Sequence, residues 1–291
     1  MKGIVLAGGS GTRLYPLTAS TSKQLLPVYD KPMVYYPLSV LMTADIQDII
    51  IITTPQDSAA FSHLLGDGSQ FGVHFTYCVQ PSPDGIAQAF LLAKSLIHDE
   101  PVALILGDNI FAGKGLDVLL KNAVHNSSHG ATIFGYAVND PQRYGIIEFD
   151  DRMHAISIEE KPIHPRSNYC VTGLYFYDKN VCNIAKSLTP SQRGEYEISD
   201  LNQRYLNMGI LHTELLGKGF TWLDTGTQDS LIDASIFIRN MEKNTGKNIG
   251  CLEEIAYEKN WIGQKEIKEQ YGRLHKSPYG QYVLKMAGLN D

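Results

Sequence analysis

Apolar strand-like segments alternate with longer amphipathic segments along the first half of the chain. The strand-like segments cover residues 4–7, 49–52, 73–79 and 102–106. Between them, apolar residues recur at helical spacing, which predicts helices over residues 33–44, 57–65, 86–97 and 116–124, with a loop before the last. Strands joined by helices of this length form right-handed crossovers, so we expect a mainly parallel sheet covered on both faces.

The pattern changes after residue 130. The next strand-like segments follow one another without helices and cover residues 131–138, 145–151, 155–162 and 170–177. They predict an antiparallel or mixed part of the sheet. A helix over 197–208 follows, then strands over 211–216 and 221–223. We predict a Rossmann-like, three-layer α/β fold with a mixed, mainly parallel sheet, in which residues 1–226 form the core and residues 227–291 a helical C-terminal extension packed on it.

The first strand runs directly into a glycine-rich turn that contains Gly8, Gly9 and Gly11. Glycine reaches positive φ without steric strain, so consecutive backbone N–H groups can converge on an anion. Arg13 and Lys23 place two cations just downstream. Together, the turn and the cations predict a polyphosphate site.

Other kinds of glycine-rich turn fit less well. In a dinucleotide-binding turn the last glycine opens a helix, but here that helix would contain Pro16, which costs about 3 kcal/mol inside a helix. No Gly-Lys-Ser/Thr closes the turn, so it is not a P-loop. A turn that binds no ligand remains an alternative, although Arg13 and Lys23 weigh against it.

Two aspartates follow predicted strands, at the sheet edge where parallel α/β sheets bind ligands. Asp108 comes after the strand over residues 102–106, and Asp224 comes after the strand over residues 221–223. Carboxylates at such positions suit Mg²⁺, which binds few carboxylates together with waters and phosphate oxygens. Each aspartate could instead cap the segment that follows it. Beside an anion-binding turn, a metal-assisted phosphoryl site is the favoured interpretation.

Two further loops admit both a structural and a functional interpretation. Glu160 and Lys161 precede a proline, and a solvated ion pair explains them as well as a binding role does. Gln80 and Gly85 lie in the segment Q-P-S-P-D-G. An amide side chain and a backbone N–H there could recognise a nucleobase, but a plain turn has the same composition.

Charge and cysteine content exclude several classes of partner. The net charge of −6 argues against nucleic acid or an anionic membrane as partner, so cations that bind phosphate must be local. The four cysteines include no C-x-x-C pair and indicate neither a zinc site nor a disulfide framework. No segment has the apolar length of a signal-peptide core or a membrane span. We expect a cytoplasmic protein.

Taken in order, the motifs of the chain resemble those of the sugar-phosphate nucleotidylyltransferases, in particular the members that transfer a thymidylyl group to glucose 1-phosphate. The succession spans nearly the whole chain: G-G-S-G-T-R-L, S-K-Q-L-L-P, K-P-M-V-Y-Y-P-L, Q-P-S-P-D-G-I-A-Q-A-F, L-G-D-N, R-Y-G, E-E-K-P, E-I-S-D, W-L-D-T-G-T and C-L-E-E-I-A-Y. The resemblance implies a nucleotidyltransferase fold of the kind shared with the A-type glycosyltransferases.

The resemblance also implies a role for each matching residue. Those that would bind the nucleotide are Leu6, Gly8, Gly9, Gly11, Thr12, Arg13, Gln24, Gln80 and Gly85. Those that would bind the sugar phosphate are Leu106, Asn109, Tyr144, Gly145, Glu160, Lys161 and Val171. The implied catalytic residues are Arg13, Lys23, Asp108, Lys161 and Asp224, with Mg²⁺ as cofactor on Asp108 and Asp224.

The implied reaction is direct in-line attack by a glucose 1-phosphate oxygen on the α-phosphorus of dTTP, which gives dTDP-glucose and pyrophosphate as the first step of dTDP-rhamnose synthesis. The same chemistry with UTP or CTP is the nearest alternative, because base choice depends on a few contacts around Gln80 and Gly85. An inactive nucleotide-sugar sensor is the alternative from another class. Four intact residues argue against it, because a sensor has no need of both metal carboxylates: Asp108, Asp224, Arg13 and Lys161.

The resemblance further implies a homotetramer and a regulatory site for dTDP-rhamnose between subunits. The family usually has N-I-F-Y-G-H-G near that site, whereas this chain has N-I-F-A-G-K-G, with Ala112 and Lys114 at the two differing positions. Feedback inhibition by dTDP-rhamnose is therefore an open question.

Overall fold

The computed structural model describes residues 1–9, 11–272 and 274–289. Its strands are β1 (Lys2–Ala7), β2 (Pro27–Val28), β3 (Lys31–Pro32), β4 (Asp48–Thr53), β5 (His74–Val79), β6 (Val102–Leu106), β7 (Asn109–Gly113), β8 (Ala131–Ala137), β9 (Gly145–Phe149), β10 (Ala155–Glu160), β11 (Tyr169–Tyr177), β12 (Leu211–Leu215) and β13 (Phe220–Asp224). Its α-helices are α1 (Tyr35–Thr43), α2 (Ser58–Leu65), α3 (Gln88–Leu92), α4 (Lys94–Ile97), α5 (Leu116–Asn126), α6 (Val181–Lys186), α7 (Ile198–Asn207), α8 (Gln228–Thr245), α9 (Leu252–Glu258), α10 (Gln264–Tyr271) and α11 (Pro278–Met286).

A mixed nine-stranded sheet forms the centre of the molecule, with the order β10-β9-β11-β6-β1-β4-β5. Off this path, β8 pairs with β11, and β12 pairs with β8. Strands β6, β1, β4 and β5 are parallel to one another. Strand β11 is antiparallel to β6, β8 and β9, and β12 is parallel to β8. The predicted α/β fold is confirmed, including the change to antiparallel pairing in its second half.

Apolar cores cover both faces of this sheet, because neighbouring residues of a strand point to opposite faces. Ile4 and Leu104 pack in one core, whereas Val5 and Ile105 pack in the other. All four side chains are fully buried. A strand buried on both faces is apolar at every position, which is why the segments of β1 and β6 could be recognised in the sequence.

The single helix predicted over residues 86–97 is wrong, because this segment forms two short helices. Helices α3 and α4 meet at Ala93, whose ψ of 2° lies outside the α-helical range. Phe90, Ala93 and Ile97 are all buried in the same core. The bend therefore keeps both helices packed on the sheet.

The loop predicted between residues 106 and 116 is also wrong, because it contains strand β7. This strand pairs antiparallel with β13 in a separate two-stranded ribbon, in which Asn109 lies opposite Asp224. The partner strand is far away in the sequence, so no local pattern could indicate the pairing. The ribbon leads from the end of β6 to Asp224.

After β13 the described residues form helices and turns without a further strand. Helix α8 packs Ala234 and Ile238 against a small apolar cluster that includes Val28 and Tyr36. Among the described residues, no helix combines the length and the apolar character that a membrane span requires.

A buried lysine attaches the C-terminal helices to the hairpin of β2 and β3. Lys31 is 3% exposed, and its Nζ donates a hydrogen bond of 3.0 Å to Oε1 of Glu242 on α8. The same ammonium lies 5.3 Å from the ring centroid of Tyr36 and 5.7 Å from that of Tyr279 on α11. Cation–π contacts of this kind stabilise a desolvated cation.

We expect Lys31→Met to lower the free energy of unfolding by about 3 kcal/mol, because it leaves the Glu242 carboxylate buried without its cation. Denaturation in urea, followed by circular dichroism, measures the change. The double variant Lys31→Met/Glu242→Leu is the control, since removing both charges should recover much of the loss. A Lys31→Met protein as stable as the unaltered chain would contradict the assignment.

Candidate functional site

Three adjoining cavities open at the carboxyl ends of β1 and β6. Their volumes are about 320, 210 and 440 Å³. Arg13, Asp108 and Glu195 line all three, so the cavities form one continuous cleft. The cleft lies at the strand ends where α/β sheets of this kind bind ligands.

The first and third cavities bring together every residue predicted to bind the nucleotide. The lining of these two cavities includes Leu6, Gly8, Gly9, Gly11, Thr12, Arg13, Gln24, Gln80 and Gly85. Gly9 and Gly11 have φ of 97° and 57°, values that favour glycine. After Gly11 the chain makes a single 3-10 turn, Thr12–Leu14, so the turn does not open an α-helix. This agrees with the argument from Pro16.

Two glutamine side chains are held in fixed orientations at the wall of the nucleotide side. Gln80 donates a 2.7 Å hydrogen bond to Oε1 of Gln88. Gln24 donates to the carbonyl oxygen of Gly8 at 3.2 Å and accepts from Oγ of Ser22 at 2.6 Å. A Cβ atom on Gly8 would lie 2.4 Å from Oε1 of Gln80. Glycine at this position therefore allows Gln80 to approach the turn.

Gly85 connects the loop over residues 80–87 to the loop that carries Glu195. Its φ is 106°, and a Cβ atom there would lie 2.4 Å from the carbonyl oxygen of Tyr196. Two backbone hydrogen bonds join the loops, from Tyr196 N–H to Asp84 at 2.7 Å and from Ala87 N–H to Tyr196 at 3.2 Å. The plain-turn interpretation of this segment is thus incomplete, because the turn packs against a second loop of the cleft.

Asp108 is a partly buried carboxylate that accepts hydrogen bonds from two donors. Lys23 donates to its Oδ2, and Asn109 donates to its Oδ1 at 2.8 Å. Burial by itself would raise the pKa of Asp108, but the Lys23 charge and these hydrogen bonds outweigh it and hold the pKa below its usual value. Asp108 precedes strand β7 and not a helix, so it does not act as a helix cap.

Asp224 faces the same cleft from the other strand of the ribbon. Burial raises its pKa, and the neighbouring Asp108 carboxylate raises it further. The following residue, Thr225, donates from its N–H and its Oγ1 to the backbone oxygen of Asp108, at 3.3 and 2.8 Å, and so holds the two segments together. The cap of helix α8 is Thr227, whose side chain accepts from Ser230, so the capping interpretation of Asp224 is wrong.

The two aspartates suit a cation that takes few protein ligands. The described residues contain no group of three or more His, Cys, Asp or Glu side chains placed to hold a metal ion. Two carboxylates that repel each other beside an anion-binding turn match Mg²⁺, which completes its coordination with waters and phosphate oxygens. Binding a cation would relieve the repulsion that raises the pKa of Asp224.

The second cavity brings together every residue predicted to bind the sugar phosphate. Its lining includes Leu106, Asn109, Tyr144, Gly145, Glu160, Lys161 and Val171. Lys161 has a φ of 44°, an uncommon conformation for a residue other than glycine. Its backbone N–H donates a hydrogen bond of 3.0 Å to the backbone carbonyl oxygen of Tyr144. Its Nζ lies 3.5 Å from Oε1 of Glu160. Lys161 and Glu160 therefore form the ion pair suggested by the sequence, and this pair lies inside the cleft.

Two charged residues of the cleft, Arg193 and Glu195, were not predicted from the sequence. Arg193 lies 2.9 Å from an oxygen of Glu195, 3.4 Å from one of Glu197 and 3.9 Å from one of Glu160. Glu195 lines all three cavities. The charged residues of R-G-E-Y-E, whose last residue opens the E-I-S-D segment, were the signal that could have identified them.

A third missed residue is Arg143, which lines the second cavity. It lies 3.8 Å from Oδ2 of Asp224 and donates to Asp140 at 2.7 Å. Arg143 is the first residue of the R-Y-G motif, from which only the tyrosine and the glycine were selected as site residues.

Comparison with known proteins gives relatives that extend over the whole chain. Residues 2–241 match the family model described as nucleotidyl transferase. A glucose-1-phosphate thymidylyltransferase from Neisseria gonorrhoeae is 56% identical over 288 residues, which are 99% of this chain and 100% of that protein. A protein of the same name from Mycobacterium tuberculosis H37Rv is 52% identical over 290 residues, with full coverage of both.

Two solved structures are similar to this one. A crystal structure from Bacillus anthracis, provisionally assigned as a glucose-1-phosphate thymidylyltransferase in complex with a sucrose, has a TM-score of 0.76 and 43% identity. The match covers 82% of this chain and 96% of the Bacillus anthracis chain. A UDP-glucose pyrophosphorylase complexed with UDP-glucose has a TM-score of 0.69 at 22% identity and covers 82% of this chain and 98% of its own. The second likeness concerns the fold alone.

Proposed function

Since this chain belongs to the nucleotidyl transferase family, among the glucose-1-phosphate thymidylyltransferases, we propose that its cleft transfers the thymidylyl group of dTTP to glucose 1-phosphate. The products are dTDP-glucose and pyrophosphate. One observation carries the assignment of the cleft: the nucleotide-side and sugar-side cavities meet at Arg13 and Asp108. A phosphate on one side can therefore reach a phosphate on the other.

On the nucleotide side, the backbone of Gly8, Gly9 and Gly11 binds the triphosphate together with Arg13 and Lys23. The positive φ of Gly9 and Gly11 supports this role, because such turns present N–H groups to anions. The thymine end lies against Leu6, Gln24, Gln80 and Gly85, and Thr12 lies beside the phosphates. The fixed orientations of the two glutamine side chains support their part in base recognition.

On the sugar side, Lys161 holds the phosphate of glucose 1-phosphate, and Glu160, Val171, Tyr144 and Gly145 surround the sugar. The phosphate oxygen that attacks is already an anion at neutral pH, so the reaction requires no general base. Catalysis then consists of holding the two phosphates in line and neutralising charge. Arg13 offsets the charge that develops on the departing pyrophosphate.

The family generally uses a divalent metal, and we propose Mg²⁺ on Asp108 and Asp224. When bound, the ion neutralises charge on phosphate oxygens. Lys23 forms an ion pair with Asp108. We propose that Lys23 transfers to the triphosphate when the nucleotide binds, which leaves the Asp108 oxygen available to the cation.

Several broader assignments rest on the resemblance. We propose a homotetramer in the cytoplasm, a place at the first step of dTDP-rhamnose synthesis, and a core of residues 1–226 with an extension of residues 227–291. Ala112 lies in β7 opposite Thr221, and Lys114 follows that strand directly. Regulation by dTDP-rhamnose is tested together with the activity.

The decisive experiment measures pyrophosphate release from dTTP, UTP and CTP with glucose 1-phosphate and Mg²⁺. We expect the highest kcat/KM with dTTP. A higher value with UTP or CTP would identify a different nucleotide substrate, and no release with any of the three would favour the sensor. Reactions without glucose 1-phosphate serve as controls for hydrolysis. The dTTP reaction, repeated with added dTDP-rhamnose, tests feedback inhibition.

A further inference from the structure

Asn109 is the centre of a buried chain of hydrogen bonds that ends at Asp108. The residue is 2% exposed. Its Oδ1 accepts from the indole Nε1 of Trp222 at 2.6 Å and from the N–H of Gly173 at 3.0 Å. Its Nδ2 donates to Oδ1 of Asp108 at 2.8 Å. Residues from β7, β11 and β13 thus converge on one amide group.

The two donors fix the orientation of this amide. An indole and a backbone N–H can only donate, so the atom that faces both of them must be the Asn109 oxygen. Both acceptor positions of that oxygen are then filled. The amide nitrogen consequently faces Asp108, and it cannot turn away without leaving two buried N–H groups unpaired.

The surroundings of Asn109 leave little room for another arrangement. A Cβ atom on Gly173 would lie 2.6 Å from Oδ1 of Asn109 and 2.7 Å from Cδ1 of Leu106. Trp222 is 7% exposed, and the rings of Tyr136 and Tyr144 pack edge-on against it with centroids 5.9 and 5.4 Å away. Packing therefore holds the indole N–H in place.

This arrangement gives the two oxygens of Asp108 different partners. Asn109 holds Oδ1, and Lys23 holds Oδ2. The Asn109 contact is rigid, because the amide is fixed on its other side. The Lys23 contact can exchange, because a phosphate can replace Asp108 as the partner of the ammonium. When Lys23 leaves, Oδ2 becomes available while the plane of the carboxylate stays fixed.

We infer that Asn109 and Trp222 position the Asp108 carboxylate for its cation. The inference rests on the proposed function, in which Asp108 holds the metal. It adds a positioning role to the sugar-binding role that the resemblance implies for Asn109, because the amide has a second N–H beside the one that Asp108 accepts. Hydrogen-bond partners of a metal-binding carboxylate commonly change metal affinity by about 10–100-fold when they are replaced.

The test compares the unaltered protein with Asn109→Leu and Trp222→Phe. Asn122→Leu is the matched control, because Asn122 is exposed on α5, outside the cleft. Water-proton relaxation measures the affinity for Mn²⁺ in the presence of dTTP, since it distinguishes enzyme-bound Mn²⁺ from Mn²⁺ on free dTTP. Steady-state kinetics at saturating metal give KM for glucose 1-phosphate. Circular dichroism checks folding.

We expect Asn109→Leu to weaken Mn²⁺ binding by about 10–100-fold and Trp222→Phe to weaken it less. Unchanged Mn²⁺ affinity with a raised KM would overturn the inference and leave Asn109 with a role toward the sugar alone. If Asn109→Leu does not fold, Trp222→Phe decides, and normal Mn²⁺ affinity in that variant overturns the inference. If the unaltered protein binds Mn²⁺ with dTTP but transfers no thymidylyl group, the proposed function fails. The Mn²⁺ affinities of the variants still show whether Asn109 and Trp222 position Asp108.

Discussion

Asp108→Asn is expected to lower kcat by about three orders of magnitude, because a catalytic metal ion contributes several kcal/mol and each 1.4 kcal/mol is a factor of ten. The change removes one of two carboxylates proposed to hold the cation and leaves the buried Lys23 without its charged partner. The amide keeps the size of the carboxyl group, so the surrounding packing is retained. Release of pyrophosphate from dTTP and glucose 1-phosphate measures the effect.

Asp151→Asn is the matched control, because Asp151 is exposed in the turn between β9 and β10. It should have normal activity. Thermal melting of both variants shows whether the loss arises from the site or from unfolding. Near-normal turnover of a folded Asp108→Asn protein would refute the metal-binding role.

Arg13→Ala is expected to lower kcat by about 10²–10³-fold, the effect of removing one donor aimed at charge that develops in a transition state. Arg13 is exposed and lines all three cavities, so its loss should not disturb the core. Single-turnover measurements with dTTP and glucose 1-phosphate separate this effect on chemistry from an effect on product release.

Arg152→Ala is the control for Arg13, since Arg152 is also exposed but lies in the turn after β9. Arg13→Lys should recover only part of the activity, because an ammonium cannot replace the two-pronged hydrogen bonding of a guanidinium. A raised KM for dTTP with unchanged kcat would contradict the proposed role, since it would mean that Arg13 binds substrate and transition state equally.

The parts of the fold that could be predicted are those whose physical cause is local. Strands β1 and β6 are buried on both faces, so their residues form continuous apolar runs, and Gly9 and Gly11 occupy backbone conformations that favour glycine. Strand β7 could not be predicted, because its partner β13 lies far along the chain. The bend at Ala93 keeps both short helices packed on the sheet. The spacing of apolar residues over 86–97 is that of a continuous helix, so it could not predict this bend.

In the candidate site, too, the residues that could be predicted are those marked by a local pattern or a motif. All residues assigned to the nucleotide and to the sugar phosphate lie in one cleft, because they follow strand ends or belong to motifs with a strong resemblance. Arg193 and Glu195 lie on a loop, where neither periodicity nor a strand end marks a position. The linkage of Asn109 to Trp222 depends on tertiary pairing between β7 and β13, which a motif cannot reveal.

The division of the cleft between two parts of the chain has a consequence for how its specificity could change in evolution. The nucleotide-side cavities are lined by segments around β1 and the loop after β5, whereas most of the sugar-side lining follows residue 142. The two sets share Arg13, Ile86, Leu106, Asp108 and Glu195, and of these Arg13 and Asp108 would contact phosphates or the cation rather than the base. Substitutions in one set can therefore alter the choice of base, or of sugar, without rebuilding the other half. A single ancestral scaffold could in this way give rise to enzymes that join different nucleotides to different sugars.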